Sequence, residues 1–177
     1  MRIHVLCAAA AAAVAFASPA LAQQVYPSDN APAIARGVVL QQHSLVNQTP
    51  LDFGIVTTDG TNTGTVSIAA GALPGRTATG GVTLLPSQPT SGRFDGLAAP
   101  LEQVVLTLNP PTPAVLTDAA GDTIDVNSMS VDQNGLLTRQ ANSTGNFTVY
   151  VGGTFGLSAT QPSGVYTADF SLTAEYQ

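Results

Sequence analysis

Along most of the chain, apolar residues come in short runs rich in Val, Ile, Leu and Thr, cut by Gly, Pro, Asn and Asp. No window sustains a 3.6-residue apolar period over three turns. The pattern predicts an all-β protein. The predicted strands are Gly37–Val46, Leu51–Val56, Gly64–Ile68, Gly81–Leu85, Gly92–Leu97, Gln103–Leu108, Ala114–Thr117, Thr123–Val131, Asn146–Val151, Thr154–Leu157 and Val165–Tyr176. Between them, Asp59-Gly60, Pro74-Gly75, Pro110-Pro111, Gly121-Asp122 and Asn134-Gly135 supply residues that preset turn dihedrals or tolerate positive φ. Strands at this spacing, with Thr and Ser in the outward positions, predict a two-sheet antiparallel immunoglobulin-like β-sandwich over residues 37–177.

The last predicted strand alternates most cleanly. Tyr166, Ala168, Phe170, Leu172, Ala174 and Tyr176 share one face, and Thr167, Asp169, Ser171, Thr173 and Glu175 share the other. At about 3.3 Å per residue this is a strand of roughly 36 Å, longer than the usual five or six residues. Its apolar face needs a cover, either the domain's own core or a strand from a partner.

Two N-terminal segments break the pattern. Residues 1–22 carry Arg2, an apolar run from Val5 to Ala17, Pro19, and small residues at Ala20 and Ala22. This is the layout of a secretory signal peptide cleaved after Ala22, with an apolar run too short to cross a bilayer of about 30 Å as a helix. It predicts export to the periplasm, cell surface or extracellular space, without membrane insertion of the mature chain. Residues 23–36 are polar and broken by Pro27 and Pro32, which predicts a flexible N-terminal arm, loose or ordered only by docking on a neighbouring subunit.

Composition then changes the picture. The chain of 177 residues is 44% apolar, but the leader holds much of that excess and also the only cysteine, Cys7. The mature chain is therefore expected to have no disulfide and no lipid anchor. All five basic residues are Arg, and the formal net charge is −6, which becomes −7 with the loss of Arg2. Such a surface repels nucleic acid and anionic lipid. The absence of Lys also removes the residue that most often guards exposed strand edges.

Little points to catalysis. After the leader the one histidine is His43, read as an ordinary strand residue, and a single His without Cys cannot build a zinc site. A Ser nucleophile needs a His or Lys base, and Lys is absent. Asp118, Asp122, Asp125 and Asp132, with Asn127 and Asn134, form the nearest approach to a calcium cluster, but their spacing fits turn-forming residues better than any calcium loop. The triplets at Asn47, Asn142 and Asn146 match the glycosylation pattern, as chance allows in a Ser/Thr-rich chain. With no Trp, both sugar-stacking platforms and the aromatic girdles of an outer-membrane barrel are poorly supplied. The expectation is a non-enzyme without cofactor or metal.

Several blocks carry a resemblance. Leu51-Asp52-Phe53-Gly54, Gly80-Gly81-Val82-Thr83-Leu84-Leu85, Val149-Tyr150-Val151-Gly152-Gly153-Thr154, Gly164-Val165-Tyr166-Thr167 and Leu172-Thr173-Ala174-Glu175-Tyr176-Gln177 occur in the order found in a secreted bacterial family. Over about residues 38–177 the chain resembles the domain of unknown function 4402 family, common in alphaproteobacteria. The resemblance implies an exported β-sandwich of surface or fimbrial character and supplies no activity. A narrower resemblance is to subunits of chaperone–usher pili, which tend to end in an alternating strand with Tyr next to last and Gly fourteenth from the end. Here those are Tyr176 and Gly164. It implies a groove beside the final strand, filled first by a periplasmic chaperone and later by the N-terminal arm of the next subunit. Gly164 would end the preceding turn, and Tyr166, Phe170, Leu172 and Tyr176 would line the groove or face the core. The chain departs from pilins in lacking a disulfide and in an arm whose apolar residues are mainly Val25, Ile34 and Ala.

Two functions follow as expectations. One is a non-catalytic structural protein of the periplasm or cell surface, a pilin-like subunit that polymerises with itself by strand complementation, helped by a chaperone and usher. The other is a self-contained secreted binding or adhesion module that acts as a monomer.

Overall fold

The computed structural model describes residues 36–177. The predicted leader and residues 23–35 of the predicted arm lie outside the described residues. Twelve antiparallel strands run in the order β1 (Ser44–Thr49), β2 (Val56–Thr58), β3 (Gly64–Ile68), β4 (Arg76–Gly80), β5 (Val82–Leu84), β6 (Gly92–Leu97), β7 (Gln103–Asn109), β8 (Val115–Thr117), β9 (Thr123–Val131), β10 (Thr138–Gln140), β11 (Asn146–Leu157) and β12 (Ser171–Tyr176). One helical turn, α1 (Asp132–Gly135), joins β9 to β10, with Gln133 and Asn134 at φ 54° and 59°. The all-β prediction holds. The strands form a seven-stranded sheet, a three-stranded sheet in the order β10-β7-β12, and the pair β2-β5.

β11 organises the seven-stranded sheet. Along one edge its first half pairs with β6, from Asn146 opposite Leu97 to Val151 opposite Gly92, and its second half pairs with β3, from Gly153 opposite Ile68 to Leu157 opposite Gly64. Along the other edge Val151–Phe155 pairs with β9, which carries β8 on its outer side. Beyond β6 lies β1, and beyond β3 lies β4.

The sequence predicts two strands here, broken at Gly152-Gly153. One strand runs through instead, because the glycines let another backbone pass close by. A Cβ on Gly152 would stand 2.4 Å from the Ile68 carbonyl oxygen and 2.5 Å from the Ala70 nitrogen. On the face of β11 that holds Phe147, Val149, Val151, Phe155 and Leu157, all are buried. The first three join Phe94, Val104, Leu106, Leu172 and Ala174 in a larger cluster beneath the three-stranded sheet. Phe155 and Leu157 join Val66, Val82 and Ile124 in a smaller one. Each such side chain contributes about 1.5–3 kcal/mol on burial. Phe147 lies over Gly96 of β6, where a Cβ would be 2.1 Å from its ring, so the ring needs a bare backbone opposite it.

The phase of β9 flips midway. Ile124 and Val131 are buried, which puts an even position and an odd position on the same face. The pairing with β11 explains it, since Ser128 opposes Thr154 while Val126 opposes Phe155, leaving Asn127 as an extra residue. This is a β-bulge, and it turns Met129 and Val131 inward.

Other predictions need correction. Gly37–Val46 was expected as a strand, but β1 begins at Ser44, and residues 36–43 carry no strand pairing. Of Leu51–Val56 only Val56 enters a strand, the rest being tied by an isolated bridge between Asp52 and Thr90. The long strand Val165–Tyr176 reduces to β12, because Thr167 bridges to Thr117 of β8 while Ser171–Tyr176 pairs with β7. The chain changes partner between them, so no single ladder spans the segment. β4 and β10 were not predicted, being polar and short (RTATG and TRQ).

Candidate functional site

The five residues singled out at the C-terminus fall into two places. Leu172 is buried opposite Leu108, and Phe170 packs edge-on against Phe94, with ring centroids 5.9 Å apart. Tyr176 packs on the same larger cluster. Tyr166 belongs to the smaller cluster instead, its hydroxyl donating to the Pro162 carbonyl at 2.8 Å and accepting from Gln161 at 3.0 Å. Gly164 sits against the turn at Asp118, where a Cβ would stand 2.7 Å from the carboxylate. Phe170, Leu172 and Tyr176 thus share a surface, and Tyr166 and Gly164 lie apart from it. The apolar face of the last segment is covered by the chain's own core.

Tyr176 also does something that alternation alone does not reveal. Its hydroxyl accepts from the Ala99 N–H at 2.7 Å and donates to the Gln41 carbonyl, while its ring meets the exposed His43 edge-on at 5.4 Å. The last strand therefore holds the chain just before β1. Immediately upstream of that anchor, Val38, Val39 and Leu40 are 69%, 97% and 40% exposed.

Between β7 and β9 lies an apolar groove of about 340 Å³. Leu106, Leu108 and Pro110 from β7 and the residue after it form one wall, Met129 and Val131 from β9 the other, and Leu137 one end. β10 pairs with β7 only over Gln103–Val105, and the Leu106 N–H then bonds the Leu137 carbonyl at 2.7 Å. Beyond that point no described strand pairs with this edge of β7. β8 likewise pairs with β9 only over Thr123–Asp125, with one more bond from the Val126 N–H to the Ala114 carbonyl, so Asn127–Val131 has no described strand on its outer edge. The turn closing this end is fixed by Arg139, 4% exposed, whose guanidinium pairs with Asp132 and donates to the carbonyls of Leu136 and Thr138.

The acids weighed for calcium do not gather. Asp118 accepts from the N–H groups of Ala120 and Asp122, as a turn-forming Asp does, and Asp132 is engaged by Arg139. Among the described residues no group of three or more His, Cys, Asp or Glu stands ready for a metal ion. Also among them, no helix is long and apolar enough to cross a membrane.

A family model described as a domain of unknown function (DUF4402) matches residues 44–176. The match spans nearly all of the strand-forming chain, and the protein belongs to this family. No curated protein and no solved structure gives a significant match.

Proposed function

We propose that this is a non-catalytic structural protein of the bacterial periplasm or cell surface, exported by the leader at residues 1–22 and joined to further copies of itself by β-strand addition. Its facing sheets are read as an immunoglobulin-like sandwich, and its assembly as pilin-like, with a chaperone and usher as helpers. The observation that carries the reading is the segment Val38–Leu40. It is apolar, β-branched in part, exposed, and tethered at Gln41 by the closing strand. Three large aliphatic side chains left in water beside a fixed anchor are the composition of a strand awaiting a partner edge.

The monomeric binding module is favoured by a different observation, the covering of Phe170 and Leu172 by the chain's own core. Expression of the full chain with its own leader in a Gram-negative host separates the two. Strand addition predicts a periplasmic product beginning at Gln23 that sediments as a concentration-dependent series of species. A single monomeric species at every concentration supports the monomeric module and removes the structural reading.

A further inference from the structure

We infer that the groove between β7 and β9 is the acceptor site for the Val38–Leu40 segment of a second copy, so that copies join edge to edge in an open chain. This rests on the strand-addition reading above and names the surface that reading leaves unassigned.

The groove has what an added strand needs. Among the described residues two neighbouring edges lack strand partners over about the same length, β7 after Val105 and β9 after Val126, and the floor between them is Leu106 and Val131, both buried. An extended segment of five residues, about 16 Å long, can bond to such an edge and seat alternate side chains on an apolar floor. Leu108 and Met129 are only half-buried and would be covered by that strand. Charge agrees. The chain carries a formal net charge of −6, so two copies repel over most of their surfaces. Neither the groove lining nor Val38–Gln42 holds a charged residue.

Geometry selects a second copy over the same one. Gln41 is held beside Tyr176 of β12, on the side where β1 borders β6. β9 lies across β6 and β11 from β1, three strand spacings or about 14 Å away, and the open edge of β7 faces away from β12, so a strand added there lies two spacings or about 10 Å from β12. The three residues from Gln41 back to Val38 span at most about 11 Å. The segment therefore cannot lie along its own groove while the anchor holds. A donor segment beside β12 and an acceptor between β7 and β9 are different surfaces, so the contact is heterologous and extends into a linear assembly wherever successive rotations do not close a ring.

The test is disulfide mapping in the full chain, exported with its own leader and with Cys7→Ala, so that every cysteine is an introduced one. Val39→Cys and Ser130→Cys are both exposed positions, and Ser130 lines the groove. The double variant is expected to give a ladder of covalent multimers on non-reducing gels, collapsing to one band on reduction. A control pairing Val39→Cys with Thr77→Cys, on the exposed edge strand β4, is expected to give no ladder beyond the dimers of Val39→Cys alone. Multimers in sedimentation without the groove ladder, or an equal ladder with Thr77→Cys, overturn the groove assignment while leaving self-association standing. A faster-migrating monomer with an internal bridge overturns the choice of a second copy. A parent chain that stays monomeric removes both the assignment and the reading beneath it.

Discussion

The first half of β11, Asn146–Val151, and its second half, Gly153–Leu157, bury side chains from one face of one strand, yet they are covered by different means. Over the first half lies the three-stranded sheet, and its cover is apolar, with Val104, Leu106, Leu172 and Ala174 all buried. Over the second half lies the pair β2-β5, two strands of three residues each, which is too little to stand on its own. Polar clamps make up the difference. The Arg76 guanidinium donates to the carbonyls of Phe53, Ile55 and Leu85 and to the Ser87 hydroxyl, tying the chain before β2 to the chain after β5. The Asp59 N–H bonds the Gly81 carbonyl, and the Asp59 carboxylate accepts from Thr61 and Asn62. Where little apolar area is available, side-chain bonds to backbone set the strand pairs, each adding about 1 kcal/mol and more when charged.

The largest effects test the apolar side of this contrast. Phe147→Ala empties a ring-sized volume beneath a full sheet and is expected to destabilise by about 5 kcal/mol, at the top of the range for such changes. Phe155→Ala removes the same ring from the smaller cluster, whose short lid can settle inward, and about 3 kcal/mol is expected. Urea unfolding followed by far-ultraviolet circular dichroism measures both. A larger loss for Phe155→Ala would reverse the ranking of the two halves.

Next comes the clamp. Arg76→Met keeps the aliphatic stem and removes every donor, leaving the Phe53 carbonyl without its partner and the Leu85 carbonyl with the Ser87 hydroxyl alone. About 2 kcal/mol of local stability is expected to go. Amide hydrogen exchange locates the loss. Protection should fall at Val56–Thr58 and Val82–Leu84 and stay unchanged at Val104–Leu106. Equal losses in both places would mean that the halves unfold as one unit and that the clamp is not local.

Much of this was legible in the chain. Gly64–Ile68, Gly92–Leu97 and Thr123–Val131 are strands with the predicted boundaries, because each alternates or carries β-branched residues between clear turn residues. The alternation from Tyr166 to Tyr176 also gave the correct inward face, even though the ladder changes partner at Ala168–Phe170, since side-chain period survives a break in pairing. What failed has physical causes. Gly152-Gly153 reads as a turn locally, and only the crossing of Ile68–Ala70 above it requires glycine within a strand. The bulge at Asn127 corresponds to the move from Ile124 and Val126 to Met129 and Val131, an even series becoming odd. Val38–Leu40 has strand composition but no strand partner among the described residues. The groove was illegible because its walls, β7 and β9, lie some twenty residues apart and are defined by where β8 and β10 stop.

The smallest effect concerns the second clamp and follows from its charge. The backbone N–H and side-chain amide of Asn62, with the Thr61 N–H, hold the Asp59 carboxyl below its ordinary value of 3.8. A carboxyl with a lowered folded-state value stabilises the fold fully above the unfolded value, and that stabilisation is lost as pH falls through the lower folded one. The Asp59 turn should therefore be intact at neutral pH and loosen only below about pH 4. Asp59→Asn keeps an oxygen acceptor for the same N–H groups but cannot titrate, so its turn should be weaker at neutral pH and insensitive to acid. Exchange at the Thr61 and Asn62 amides, compared between about pH 6 and about pH 2.5 after correction for intrinsic rates, reads the difference between the two chains. Parallel acid responses in wild type and variant would show that the carboxylate charge contributes nothing to this turn, leaving Arg76 as the charged clamp of the smaller half beside neutral bonds such as Asp59 N–H to the Gly81 carbonyl.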